Sequence, residues 1–173
     1  MKLRFLKTLN NIPETAKSVI DIGCGPGHYC LELSKKKIPY IVGLDFSTEM
    51  IEIAKENTKN CKDDCKIEFL VCDFLNFTPD TKFEYSIMMG FAEYFENPLT
   101  VIKKAISITQ KKVFLSLPKD NGILAYQRKL RYKNRCYLTF ITQNGIKELL
   151  SGLPISSYCI EKVSRDFFIT ITI

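Results

Sequence analysis

Apolar runs rich in β-branched residues alternate with amphipathic segments along the chain. Each of the first five runs has the length of a buried strand and stops at a glycine, a proline or an acid, which predicts strands at 18–22, 40–44, 66–72, 85–89 and 111–117. Helical periodicity predicts helices at 3–9, 29–36, 49–59, 99–108 and 143–150. Two last runs, 155–161 and 167–173, have no helix between them and predict a closing antiparallel pair. The alternation indicates an α/β protein with a doubly wound parallel sheet.

Composition indicates one compact domain. The 173 residues are 46% hydrophobic, which suffices for a sizeable core in a single domain over 1–173. No apolar stretch approaches the ~20 residues of a membrane span, and residues 1–11 lack the features of a signal peptide, so no membrane association is expected. Seven cysteines without paired spacings predict reduced thiols and a cytoplasmic location.

The sequence does not predict a metal site. Cys61 and Cys65 are four positions apart, but no second pair stands at zinc-site spacing, and His28 is the only histidine. Scattered buried or loop thiols are the better interpretation of the cysteines.

The first predicted strand runs into a glycine-rich loop at 23–27. Three glycines in five positions allow positive φ angles and a close approach of the backbone to a ligand. The loop joins a strand end to a helix N-terminus near His28, where free N–H groups suit a carboxylate or phosphate. The fingerprint of nicotinamide enzymes would need a third glycine at position 28, so the loop does not match it. A tight turn without a ligand is the alternative, which this glycine density disfavours.

An acid follows the second predicted strand. Asp45 stands about 20 residues beyond the glycine loop, where it can accept hydrogen bonds from ribose hydroxyls. A helix cap is the alternative role, but Ser47 or Thr48 already supplies a cap. Phe46 can lie against a purine ring or fill the core, and Met50 has the same two interpretations.

The pattern D-x-G-x-G-x-G at 21–27 resembles motif I of the class I S-adenosylmethionine-dependent methyltransferases. With Asp45 and Asp73 at matching intervals, the resemblance covers 19–173 and implies a seven-stranded, mostly parallel sheet with an antiparallel edge strand. In that family the loop wraps the methionine end of the cofactor, S-adenosylmethionine. The acid at the Asp21 position holds the loop or the cofactor's amino group, and the acid at the Asp73 position binds the adenine amine. The cofactor-binding residues implied are Asp21, Gly23, Cys24, Gly25, Gly27, Asp45, Phe46, Met50, Asp73, Phe74 and Gly90.

Residues 90–98 resemble the segment after the fourth strand in the same family, with Tyr94 in place of a histidine. Family members use that histidine as a base, whereas a tyrosine with its ordinary pKa of about 10 is a poor base at neutral pH. We therefore expect Tyr94 to orient the substrate through its hydroxyl, with Glu93 or His28 as alternative bases. His28 also suits cofactor packing or an exposed surface position.

A basic insertion occupies about 119–140. Between 119 and 135, six basic residues stand against one acid, a local charge of +5 within a net charge of +6. In a helix over 123–134, Arg128, Arg131 and Arg135 would form one stripe that suits the carboxylate or phosphate of a small substrate. The stripe, which has tyrosines interleaved, would equally suit an RNA backbone or a solvated helix face.

The sequence therefore predicts an S-adenosylmethionine-dependent methyltransferase that acts on a small, anionic molecule. The fourth strand does not end in the N/D-P-P-Y/F motif of methyltransferases for exocyclic amines of nucleic acids, which favours a small-molecule substrate over nucleic acid. Two alternatives stay open: an RNA or tRNA methyltransferase that uses the basic 119–135 segment, and a non-catalytic cofactor-binding subunit of a larger enzyme.

Overall fold

The computed structural model describes residues 2–61, 65–120 and 137–173, and within them seven strands form one sheet. The strands are β1 (Ser18–Ile22), β2 (Tyr40–Asp45), β3 (Lys66–Val71), β4 (Phe83–Met88), β5 (Thr109–Pro118), β6 (Ser157–Val163) and β7 (Asp166–Thr172). The α-helices are α1 (Lys2–Asn10), α2 (His28–Lys35), α3 (Thr48–Thr58), α4 (Pro98–Ser107) and α5 (Gln143–Leu150). Two 3-10 helices span Phe74–Asn76 and Ala92–Tyr94. The predicted α/β class is confirmed.

The strand order is β3-β2-β1-β4-β5-β7-β6. The pairs from β3 to β5 are parallel, whereas β7 is antiparallel to both β5 and β6. The predicted seven-stranded sheet is thus confirmed, with its antiparallel strand inserted next to the edge strand β6. The chain order reverses between β1 and β4, and open α/β sheets bind ligands at the carboxyl ends of the strands at such a point.

Each face of the sheet packs against its own helices. Alternation along β1 sends Ile20 and Ile22 into the cluster under α4 and α5, and Val19 into the cluster under α1, α2 and α3. All three side chains are fully buried, and each such burial stabilises the fold by about 1.5–3 kcal/mol. Asp21 shares its strand face with Val19, so its carboxyl lies on the side of α1 and α2.

Helix α1 forms where predicted, but its inner face differs from the apolar pattern. Leu3 and Leu6 are 66% and 45% exposed, while Thr8 and Leu9 are buried. The cause is the docking of the helix: the Phe5 ring lies 4.7 Å from the Tyr29 ring between centroids, which turns positions 5, 8 and 9 inward. The predicted helix is therefore present, and two of its apolar side chains, Leu3 and Leu6, lie at the surface.

The two ends of the basic insertion meet next to the end of β5. Lys119 and Ile141 form an isolated parallel bridge, and the Ile141 N–H donates to the Pro118 carbonyl at 3.0 Å. The predicted helix over 123–134 and its arginines, Arg128, Arg131 and Arg135, lie outside the described residues.

The described residues contain no candidate for a membrane-spanning helix or a metal cluster. No helix there has the length and apolarity needed to cross a membrane. No group of three or more histidine, cysteine, aspartate or glutamate side chains is arranged to hold a metal ion.

Candidate functional site

The glycine loop takes the backbone geometry that its composition predicts. Gly23 has a φ of 71° and Gly27 a φ of 76°, both in the left-handed region that favours glycine. A Cβ on Gly23 would lie 2.5 Å from the Phe91 ring, and one on Gly27 would lie 2.9 Å from the Ala54 Cβ. Larger residues are therefore excluded by both backbone conformation and space.

Asp45 joins this loop to the start of α3. Its Oδ2 accepts a hydrogen bond from the Gly25 N–H at 2.9 Å, and its Oδ1 accepts one from the Ser47 N–H at 3.0 Å. Ser47 is the cap of α3, because its hydroxyl accepts from the Met50 N–H at 3.2 Å. A carboxylate has about four acceptor sites, so Asp45 keeps capacity for ribose hydroxyls while it holds the loop.

Asp21 is a buried acid at the end of β1. Its side chain is 2% exposed. Burial, followed by the charge of Asp45, raises the pKa of its carboxyl from 3.8 to about 8. The thiol of Cys30 lies 4.0 Å from Asp21 Oδ2, and burial also raises the pKa of this thiol well above its usual value. At neutral pH both groups are therefore largely protonated.

A cavity of about 610 Å3 opens beside the loop, and we call it the loop cavity. The predicted residues that line it are Asp21, Gly23, Cys24, Gly25 and His28. Its volume lies within the usual range of small-molecule sites, roughly 300–1,000 Å3. Burial, with the charges of Asp21 and Asp45, raises the pKa of the Cys24 thiol well above its usual value. The Cys24 side chain is therefore uncharged where it lines the cavity.

The remaining predicted cofactor residues lie at the carboxyl ends of β2 and β3. Asp45 is paired with Val71 in the sheet, so Phe46 and Asp73 follow neighbouring strand ends. Phe46 is 79% exposed, which makes its alternative role as a core residue wrong. Asp73 is exposed, and its Oδ1 accepts from the Leu75 N–H at 2.9 Å.

Met50 and Phe74, also predicted for the cofactor, differ in burial. The Met50 side chain is half-buried on the first turn of α3, whereas Phe74 is 1% exposed. The Phe74 ring packs edge-on against the Phe91 ring, with centroids 5.9 Å apart. Its side chain therefore belongs to the core, and a cofactor contact at this position would come from the backbone.

The segment after β4 turns its residues in opposite directions. Gly90 has a φ of 73°, and its N–H donates to the Ser116 hydroxyl at 3.1 Å. In the following 3-10 helix Glu93 is 2% exposed, whereas Tyr94 is 47% exposed. The two predicted catalytic residues thus lie on different sides of this short helix, and the third, His28, is exposed at the edge of the loop cavity.

The loop cavity also contains residues that the sequence did not indicate. Lys2, Arg4 and Phe5 reach it from α1. The other lining residues are Pro26, Tyr29, Leu31, Glu32 and Met89. The helical pattern predicted α1 but not its position, so nothing local to these residues marked them as part of a site. Helix α1 reaches the loop cavity through contacts with residues distant in sequence, which are Tyr29, Ser116 and Asp166.

The C-terminal end of the basic insertion lies against the second 3-10 helix. The Thr139 N–H donates to the Glu93 carbonyl at 2.7 Å, and the Thr139 hydroxyl donates to the Phe95 carbonyl at 2.7 Å. The Asp120 N–H donates to the Ile141 carbonyl at 3.0 Å, so the two flanks of the insertion are held together. Both flanks therefore lie near the segment of Glu93 and Tyr94.

Comparisons with known proteins concern the family of the chain. A sequence profile described as a methyltransferase domain matches residues 13–150. The chain is 31% identical over 128 residues to carboxy-S-adenosyl-L-methionine synthase of Nautilia profundicola, covering 73% of this chain and 50% of that protein. It is 37% identical over 81 residues to phosphoethanolamine N-methyltransferase 1 of Zea mays, covering 46% of this chain and 15% of that protein. The matches thus span half or less of these relatives.

The fold also resembles solved structures. One is magnesium protoporphyrin IX methyltransferase from Synechocystis PCC 6803 with bound SAH, at a TM-score of 0.75 and 16% identity. The superposition covers 99% of this chain and 80% of that chain. At this level of identity the similarity concerns the arrangement of strands and helices.

Proposed function

The chain belongs to the methyltransferase domain family, and we propose that it transfers the methyl group of S-adenosylmethionine to a nucleophilic atom of a small, anionic molecule. This family agrees with the one that the glycine-loop pattern at 21–27 resembles in the sequence. The observation that supports the proposal most directly is the loop cavity, bounded by positive-φ glycines and a buried acid at the switch point of the sheet.

The residues of the site suit the cofactor. Gly23, Gly25 and Gly27 give a loop that a ligand can approach closely, and Asp45 holds this loop while keeping acceptor sites for ribose hydroxyls. Asp21 offers a carboxyl group in the wall of the loop cavity, where an ammonium group would favour its ionised form. Phe46 offers an exposed ring at the end of β2 for a purine.

When bound, S-adenosylmethionine supplies a methyl group that its sulfonium charge already activates. The work of the chain is then to align the nucleophile and exclude water from it. Tyr94 presents a hydroxyl for orienting the substrate, while the buried Glu93 and the exposed His28 are alternative proton acceptors. Glu93 and Tyr94 follow the carboxyl end of β4, whereas His28 begins α2 and lines the loop cavity.

Two observations support a small and anionic substrate. The names of the matched relatives refer to small molecules, among them phosphoethanolamine. Lys2 and Arg4 contribute cationic side chains to the loop cavity, and the flanks of the basic insertion lie next to the 3-10 helix of Glu93 and Tyr94. Lys2 and Arg4 thus place positive charge in the wall of the loop cavity, which favours an anion.

The first test is ligand binding measured by calorimetry with S-adenosylmethionine, S-adenosylhomocysteine and NADH. We expect the two sulfur compounds to bind and NADH not to bind. Asp45→Ala should weaken cofactor binding by about 1–3 kcal/mol, the cost of leaving polar partners unmet. Glu56→Ala, an exposed change on α3, is the control and should bind as the wild type does.

The opposite ligand preference would refute the assignment: binding of NADH without binding of S-adenosylmethionine. For the substrate, the protein is incubated with S-adenosylmethionine and fractionated metabolites. Mass spectrometry then looks for a product heavier by one methyl group, and for its retention on an anion-exchange column. A methylated product that is cationic would contradict the anionic part of the proposal.

A further inference from the structure

The ring of Phe91 fills the place where a side chain on Gly23 would stand. Its Cδ2 lies 2.5 Å and its Cγ 3.2 Å from the position of a Cβ on Gly23. Gly23 also lines the loop cavity. Because glycine has no side chain, the ring packs directly on the backbone of the loop that bounds this cavity. Closely packed groups transmit displacement to one another, so a ligand that holds Gly23 also constrains the ring of Phe91.

The same ring contacts two further aromatic side chains. The Phe74 ring meets it edge-on, with centroids 5.9 Å apart and an angle of 84° between the planes. The Phe95 ring is tilted against it by 48°, with centroids 5.1 Å apart. Aromatic pairs at such separations attract each other beyond the area that they bury. Phe91 thus joins the glycine loop after β1 to the 3-10 helices that follow β3 and β4.

Phe91 also begins the second 3-10 helix. Its carbonyl accepts a hydrogen bond from the Tyr94 N–H at 3.1 Å, and the Ala92 carbonyl accepts one from the Phe95 N–H at 3.3 Å. The helix has three residues, and the hydrogen-bond geometry of a 3-10 helix is poorer than that of an α-helix. Its order therefore depends on the packing of its neighbours, and Phe91 supplies such packing at the first turn.

We propose that Phe91 is a positioning residue, which fixes the segment of Glu93 and Tyr94 when the cofactor occupies the glycine loop. The inference rests on the proposed function, because that function places the cofactor at Gly23 and the groups that act on the substrate at Glu93 and Tyr94. A bound cofactor holds the backbone of Gly23, the ring of Phe91 stays packed against it, and the 3-10 helix loses the freedom to fray. The groups that act on the substrate are thus aligned when the methyl donor is present.

The test is hydrogen exchange of single backbone amides, followed by NMR, with and without saturating S-adenosylhomocysteine. The amides to follow are those of Tyr94 and Phe95, which close the 3-10 helix. In the wild type we expect the ligand to slow their exchange by about 5- to 150-fold, the usual range of coupling between two sites. Calorimetry with the same ligand gives its affinity and therefore the saturating concentration.

Phe91→Leu removes the ring and keeps an apolar side chain. We expect this variant to bind S-adenosylhomocysteine, while the ligand slows the exchange of the Tyr94 and Phe95 amides by less than about twofold, because the coupling is lost. Exchange rates with and without ligand are compared within each protein, so faster exchange in the ligand-free variant alone does not count as the effect. Phe91→Met replaces Phe91→Leu if the latter does not fold, because an unbranched methionine adapts to irregular space.

Phe77→Leu is the matched control for a general loss of packing. Phe77 is also a half-buried ring on the cluster under α4 and α5, but it follows the first 3-10 helix and does not begin the second. We expect Phe77→Leu to keep the wild-type slowing of exchange at Tyr94 and Phe95.

Three outcomes would overturn the inference: a full response in Phe91→Leu, an equal loss of response in Phe77→Leu, or a wild type that binds the ligand without slower exchange. In each of them the binding of S-adenosylhomocysteine by the wild type leaves the proposed function intact. A wild type that binds neither S-adenosylhomocysteine nor S-adenosylmethionine would refute both.

Discussion

The carboxyl of Asp21 should make the stability of the ligand-free protein fall as the pH rises. In the unfolded chain this acid ionises near its ordinary pKa of 3.8, whereas burial and the charge of Asp45 raise its folded-state pKa to about 8. Above pH 4 the folded state therefore holds a proton that the unfolded state has lost. The stabilisation is complete below the unfolded pKa and is lost as the pH rises toward 8.

The size of the effect follows from this difference in bound protons. Each pH unit over which the folded state holds one more proton costs about 1.4 kcal/mol of stability. Between pH 6 and pH 8 the folded carboxyl goes from almost fully protonated to half protonated. The wild type should therefore lose about 2 kcal/mol more than a variant without this carboxyl.

Asp21→Asn is that variant, since an amide of the same shape stays neutral throughout. Urea unfolding followed by circular dichroism at pH 6, 7 and 8 gives the free energy of unfolding of both proteins without ligand. Asp73→Asn removes an exposed acid and serves as the control, with a pH profile that should follow the wild type. Parallel profiles for the wild type and Asp21→Asn would refute the reasoning, because Asp21 would then titrate alike in both states.

Three further predictions concern the site. Tyr94→Phe should keep cofactor affinity but lower turnover, and Tyr94→His should be tolerated; unchanged turnover in Tyr94→Phe would remove the hydroxyl from the mechanism. Gly23→Ala should abolish cofactor binding in calorimetry, because a Cβ there would lie 2.5 Å from the Phe91 ring at a φ of 71°, and retained binding would contradict this. Replacing the three insertion arginines by alanine should leave cofactor affinity unchanged. Fluorescence anisotropy with tRNA and duplex DNA should show no binding, whereas tight binding that falls by ~0.7–0.9 log units per phosphate contact per log unit of salt would favour the RNA alternative.

Local spacing in the sequence was enough to predict the glycine loop and the acids at the strand ends. The positive φ angles of Gly23 and Gly27 follow from residue type and position, since a strand must turn into a helix within five residues. The position of Asp45 at the end of β2 also follows from a short apolar run that stops at an acid. The conformation of the loop and the position of the acid depend on residues close in the sequence, so both can be predicted from the sequence.

Other features depend on contacts between distant residues and were not predictable. Phe46 suited the core and a ligand surface equally, and the absence of any element over the end of β2 leaves it 79% exposed in the described part of the chain. The apolar pattern of α1 did not define which of its sides faces the sheet, because the docking of α1 is set by Phe5 and by the bonds of Arg4 to β5 and β7. The position of Arg4 in the site has the same origin.

The link between Arg4 and Asp166 has a consequence for the order of events during protein synthesis. The two residues are 162 positions apart, and β7, which Asp166 begins, pairs with β5 only after the long segment between them has left the ribosome. At about 5–20 residues per second, α1 would wait roughly ten to thirty seconds for this partner. Helix α1, which is made before every strand of the sheet, is therefore among the last of the described elements to take its final place. A nascent chain stalled before residue 166 would lack one wall of the loop cavity.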